Sequence, residues 1–249
     1  MAAALRDAMR EVLWNYGFGA SHVSHDRRLS SRSTFYTVNR SPSVSRTANQ
    51  GLQPLDTQQF GVDLNFIKAK NNGDPVAPIL RNCIVYLSFP DRLETEGLFR
   101  RSGSAALVTE LISKINAGEE VDFGSPHVAA VILKKHLREL SEPLMTFDVF
   151  DEIVAFEGIP REERSTYARN IILEKLPEDN YHVLRNLVSF LQKVMDRSDL
   201  NKMTSSNLAV VFGPNMVWSR GQELSLASIS PINLFFDHVF SHADEIFLR

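Results

Sequence analysis

Cysteine is almost missing from this sequence: Cys83 stands alone. No disulfide can therefore form within the chain, and its stability does not depend on an oxidising compartment. A reducing, cytoplasmic setting is the expectation. Long apolar runs are missing too, which excludes a membrane-spanning helix. The opening stretch MAAALRDAMREVLW is interrupted by Arg6, Asp7, Arg10 and Glu11 and does not read as a secretory signal. Arginine and serine near the start weakly resemble a mitochondrial presequence, against which Asp7, Glu11 and Asp26 count. A strong charge of one sign is likewise lacking. A net charge of -3 gives no global attraction to nucleic acid or to an anionic bilayer, so no nucleic-acid partner is expected. Any positive charge that matters must be gathered at one place. Catalytic signatures are also wanting: there is no GxSxG elbow, no HExxH, no GxxxxGK[ST] loop and no CxxC pair. A self-contained hydrolase finds no nucleophile here.

What is present divides into unequal parts. Hydrophobic residues make up 43% of 249 and charged residues 23%, enough for one domain with a real core plus an extra segment. Residues 1–59 read as an N-terminal arm. A short amphipathic helix over 2–16, with Leu5, Met9, Leu13 and Tyr16 on one side, leads into a Ser/Arg-rich tract with no sustained apolar period. That tract predicts a largely disordered linker. Arg27, Arg28 and Ser30 have a spacing that basophilic kinases favour, a match that such tracts also produce by chance.

Residues 60–249 show repeated helical periods and no convincing strand, which predicts an all-α domain. Ile79, Leu80, Cys83, Ile84 and Leu87 form one stripe after Pro78, and Leu184, Leu187, Val188, Leu191, Val194 and Met195 form another. Further helices are expected after Ser104, Ser125, Thr146 and Pro160, and from Thr204 to Phe212, where Gly213-Pro214 should stop the helix. Near the end, Ser230 reads as an N-cap with Pro231 at the first helical position. Ile232, Phe235, Phe236, Val239, Phe240, Ala243 and Phe247 then follow on one face.

Three segments carry chemistry. In TEGLFRRSG, Gly97 and Gly103 permit tight backbone turns and Phe99 is placed to anchor the loop, which sets Arg100 and Arg101 on a constrained connection. Taken alone, the pair reads by default as solvated arginines. In SPHVAAVILKKHLRELSEPL, Lys134 and Arg138 share a face beside the buried stripe of Leu133, Leu137 and Leu140. Like charges four apart repel slightly, which points to partners outside that helix, although Arg138 also suits a helix C-terminus. In NKMTSSNLAVVFGPNMVW, Asn207 reads as a cap or a site residue and Asn215 as a turn former or a site residue. His238 and His242, four apart on a helix, lack a carboxylate or thiol to complete a metal set, so no metal is expected.

In this order the three segments, with FGVDLNFI before them and SPINLFFDHVF after, resemble the RhoGAP (Rho GTPase-activating protein) domain family over residues 60–249. The likeness is greatest to the branch whose members place a CRAL-TRIO domain before the RhoGAP domain, for which the stretch before Phe60 is too short. The resemblance implies a multi-helix bundle that activates a Rho-family GTPase in its GTP-bound state, with GTP and magnesium held by the partner and no cofactor of its own. Membrane contact would come through that partner. Arg100 would be the arginine finger, Lys134 would contact the GTPase, Arg138 would steady the finger loop and Asn207 would complete the facing site, with Asn215 in the same motif. The competing class is a binding module that docks on a GTPase without accelerating hydrolysis. Two departures stand out: Ser141 occupies a position where the family usually has proline, and the stretch from finger to Lys134 is a few residues shorter. The serine is expected to loosen the helix exit slightly, and the shorter stretch bears on efficiency.

Overall fold

The computed structural model describes residues 53–221 and 225–247, and these form twelve α-helices with no strand among them. The chain divides into two units, Met1–Gln53 and Pro54–Arg249, and these twelve helices lie in the second. The expected helix over 2–16, the Ser/Arg tract and the Arg27-Arg28-Ser30 spacing lie outside the described residues. The compact unit starts at Pro54, a few residues before Phe60. Thr57, Gln59 and Phe60 are strapped to one asparagine: Thr57 Oγ1 donates to Asn116 O, and the Gln59 and Phe60 amides both donate to Asn116 Oδ1.

Most helices begin where their caps predict. α1 (Leu64–Lys70) starts at Asp63, whose carboxylate accepts from Phe66 N. α2 (Pro78–Leu87) has its proline in the first turn, and Gln59 Oε1 accepts from Ile79 N in place of a capping side chain. A short α3 (Pro90–Leu93) leads to the Gly97 segment. α4 (Ala105–Asn116) and α5 (Pro126–Arg138) are capped by Ser104 and Ser125. α6 (Phe150–Ala155) and α7 (Arg164–Asn170) follow, and α7 continues into a π turn at Ile171–Lys175. α8 (Glu178–Met195) buries the longer predicted stripe, with Tyr181, Val183 and Phe190 added to it. α9 (Ser198–Asn201) and α10 (Ser205–Met216) are joined through Lys202 in the left-handed region, with Thr204 as N-cap. α11 (Leu226–Ser241) and α12 (Ala243–Ile246) close the chain.

Three expectations need correction. Gly213-Pro214 does not stop α10, which runs on to Met216. A Cβ on Gly213 would lie 3.0 Å from Ile232 Cγ2 and 3.2 Å from Phe236 Cδ2, so this glycine serves the close approach of α10 to α11 and is not a helix stop. Ser230-Pro231 does not begin α11 either: Ser225 is the N-cap, its hydroxyl accepting from Ser228 N, and Pro231 sits inside the helix. Finally, Ser141 ties the helix exit down, because its N–H donates to Val62 O at 3.2 Å, a bond proline has no hydrogen to make.

α5 packs on α2, α4 and α10, and α10 lies along α11. This arrangement places the Arg100 loop against α5 and, through the Phe99 ring on Phe212, against α10.

Candidate functional site

The Arg100 segment is fixed by its backbone before any side chain is considered. Gly97, at φ +70°, donates its N–H to Asn201 O at 2.8 Å, and its carbonyl accepts from both Arg100 N and Arg101 N. The loop therefore closes on itself while one end is bonded to α9. Phe99 also has positive φ, at +68°, which costs a residue with a Cβ on the order of 1 kcal/mol or more. Its ring offsets that cost. It is fully buried and meets Phe212 and Phe190 edge-on at 4.9 and 6.0 Å between centroids. Turning the Phe99 side chain inward directs the next residue outward, and Arg100 is half-exposed. Gly103 ends the segment against α5, where a Cβ would meet Val128 Cγ2 at 3.0 Å and Val128 Cα at 3.2 Å. It is small for close approach, whereas Gly97 is needed for its conformation.

The two arginines differ. Arg101 donates to Glu96 at 2.8 Å, and its stem lies over Gly97. Among the described residues, no hydrogen bond or ion pair engages the Arg100 guanidinium. His127 lies near Arg101, and burial first, then the Arg101 charge, holds its pKa below the usual histidine value.

Lys134 is buried on α5, and its Nζ donates to Phe99 O at 2.5 Å. Lys134 thus supports the Arg100 loop within the chain itself. Arg138 is one turn further along α5 and half-buried. Asn207 occupies the third position of α10, where Thr204 caps the helix and also bonds Asn207 Oδ1 at 2.5 Å. Asn215 stands about 12 Å further along the axis of α10. Its Nδ2 donates to Val211 O at 2.6 Å, so its amide serves its own helix.

Sequence reasoning missed Asn201. It is fully buried, donates Nδ2 to Leu93 O and Val194 O at 2.8 Å each, and accepts from Met203 N at 2.7 Å. With its own carbonyl on Gly97 N, it links the Arg100 segment, the end of α8 and the entry to α10. The only local signal was its place at the head of NKMT, since buried asparagines carry no pattern of their own.

His238 and His242 stack at 4.1 Å between centroids. His238 Nε2 meets Ser165 Oγ at 3.1 Å and His242 Nδ1 meets His238 O at 3.1 Å. Among the described residues, no three His, Cys, Asp or Glu side chains gather as a metal set, and no helix is long and apolar enough to cross a membrane.

Comparison with known proteins follows the same segments. The RhoGAP domain profile matches residues 77–221. Rho GTPase-activating protein 68F of Drosophila melanogaster is 44% identical over 211 residues, covering 84% of this chain and 44% of its own length. Rho GTPase-activating protein 1 of Homo sapiens is 42% identical over 215 residues, covering 85% and 48%. The chain thus spans somewhat under half the length of these relatives. The crystal structure of human Rho GTPase activating protein 15 superposes with a TM-score of 0.71 at 25% identity, over 83% of this chain and 99% of that one. With an all-helical body and a profile match over more than half its length, this chain belongs to the RhoGAP domain family.

Proposed function

We propose that the chain activates a Rho-family GTPase by inserting Arg100 into the partner's nucleotide site in trans. The observation that carries the reading is the Arg100 guanidinium, uncommitted among the described residues, on a loop pinned by Asn201 at Gly97 and by Lys134 at Phe99. In GTP hydrolysis, negative charge spreads over the transferring phosphoryl group and the leaving oxygen. A guanidinium meets that charge with several fixed donors, whereas an ammonium supplies charge without the fork. Pinning the loop beforehand lowers the entropy lost when the finger enters.

The attacking water, the magnesium and the nucleotide belong to the partner in its GTP-bound state, and this chain needs no hydrolase site or cofactor of its own. Asn207 completes the facing surface, Arg138 helps hold the finger loop, and Lys134 reaches the GTPase beside that loop. Asn215 has a supporting part through α10. The chain acts in the cytoplasm, with any membrane contact made through its partner. Within the family, the likeness of its Arg100, Lys134 and Asn207 segments favours the branch whose members carry a CRAL-TRIO domain.

An arginine finger contributes about 10³- to 10⁵-fold in rate, or roughly 4 to 7 kcal/mol of barrier. Turnover by a panel of Rho, Rac and related GTPases is therefore expected to rise with the unaltered chain. Arg100→Ala should lose about 10³-fold of that stimulation while still binding the GTP-loaded partner. Arg100→Lys should recover little. Stimulation by Arg100→Ala equal to that of the parent would sink the mechanism, and binding without stimulation by the parent would identify a docking module.

A further inference from the structure

We propose that Thr204 is a positioning residue that sets which edge of the Asn207 amide faces the GTPase; the inference rests on the proposed function above. The argument counts protons. A threonine hydroxyl has one hydrogen to give and two lone pairs to fill. Thr204 Oγ1 has three polar neighbours: Asn207 N at 3.4 Å, Asn207 Oδ1 at 2.5 Å and Ser206 Oγ at 3.1 Å. The amide oxygen carries no hydrogen, so it takes the one from Thr204. The Asn207 N–H and the Ser206 hydroxyl then supply the two lone pairs, and the Thr204 hydroxyl is saturated.

Asn207 Oδ1 is thereby held on the Thr204 hydroxyl, and Nδ2 is turned away from the cap. Among the described residues no hydrogen bond engages Nδ2, and Asn207 is half-buried at the start of α10. The edge offered to a partner is a pair of donors, which fits a backbone carbonyl or carboxylate oxygen of the GTPase and rejects another N–H group. Thr204 thus does two things that separate under substitution. It accepts from Asn207 N as an N-cap, and it donates to Asn207 Oδ1 as an orienter.

Thr204→Ser retains both actions. Thr204→Asp retains the cap, since aspartate is among the best N-cap residues, but its carboxylate cannot donate. The carboxylate instead attracts Nδ2 and turns the amide oxygen outward. Asn207→Ala removes the amide and identifies its signals.

Two measurements on the full chain decide the matter. In ¹⁵N NMR without any GTPase, the Asn207 side-chain amide pair is expected to coincide in the parent and Thr204→Ser. In Thr204→Asp one of its protons should move downfield and exchange more slowly with water. In stimulated GTP hydrolysis, Thr204→Ser should stay within about twofold of the parent. Thr204→Asp should lose about tenfold or more in kcat/KM, at least as much as Asn207→Ala, with an unchanged melting temperature. Persistence of that loss at high salt separates a turned amide from an added charge. An amide pair unaltered by Thr204→Asp, or parental stimulation by that variant, overturns the inference. If the parent stimulates no Rho-family GTPase, the proposed function fails instead, and the NMR result still decides whether Thr204 orients Asn207.

Discussion

Replacing Asn201 by alanine removes two donors and one acceptor from a place that water does not reach. The Leu93 carbonyl and the Met203 N–H would then be buried without partners, each at a cost of about 1 kcal/mol or more, whereas the Val194 carbonyl keeps the Arg197 N–H. Asn201→Ala is therefore expected to lower stability by about 2 kcal/mol or more, seen as a lower urea midpoint. The backbone carbonyl that accepts from Gly97 N remains in this variant, but the side-chain bonds that fix its position are gone, so under the proposed function stimulation per folded molecule should also fall at temperatures where the variant remains folded. Unchanged stimulation would show that the finger loop is held without it. At this scale the sequence singles out segments and not contacts. Arg100, Lys134 and Asn207 lie in segments whose residue types are unusual for their place. Asn201 and the strained backbone of Phe99 were hidden, because burial of a polar side chain and a positive φ at an aromatic leave no local pattern.

Between elements, the contact of α10 with α11 is the one in which a single methyl group has the clearest consequence. Gly213→Ala would gain about 1 kcal/mol of helix propensity. The new Cβ would press on Ile232 Cγ2, on the Phe236 ring and on Asn233 Oδ1 at 3.3 Å, and Ile232 and Phe236 are fully buried. Overpacking of this kind costs about 1 to 3 kcal/mol, so the net expectation is a loss of about 1 kcal/mol in chemical denaturation. A gain would mean that the interface yields. The same interface explains why helix starts were legible and two helix limits were not. Ser104, Ser125 and Thr204 cap through bonds made within three residues, which a linear pattern contains. Whether Pro214 or Pro231 ends a helix depends on the long packing of α10 along α11, which outweighs the hydrogen bond each proline removes. Ser141 follows the same logic, since its bond to Val62 joins residues far apart in sequence.

For the folded molecule as a whole, acid is expected to act through His136. Its ring is buried on α5, edge-on to Phe60 at 5.5 Å, and neither ring nitrogen is in hydrogen-bonding geometry with a partner. Burial lowers its pKa from 6.5 to about 4, and the backbone of Gln59 opposes that shift. In the unfolded chain the imidazole takes a proton near pH 6.5, while in the folded protein it resists until about pH 4. Between these values the unfolded state binds more protons, so stability rises with pH across that window and is lost as pH falls through it. The gap corresponds to roughly 3 kcal/mol, fully present above pH 6.5 and gone below pH 4. Protonation would place a charge under the strap of residues 57–62, so that segment should loosen first. His136→Leu, similar in volume and without a titrating group, should remove most of the slope between pH 6.5 and 4 in denaturant titrations while leaving the fold intact at neutral pH. A slope unchanged by that substitution would assign the acid sensitivity to other groups, with His127 and His238, whose pKa values burial also lowers, the first to examine.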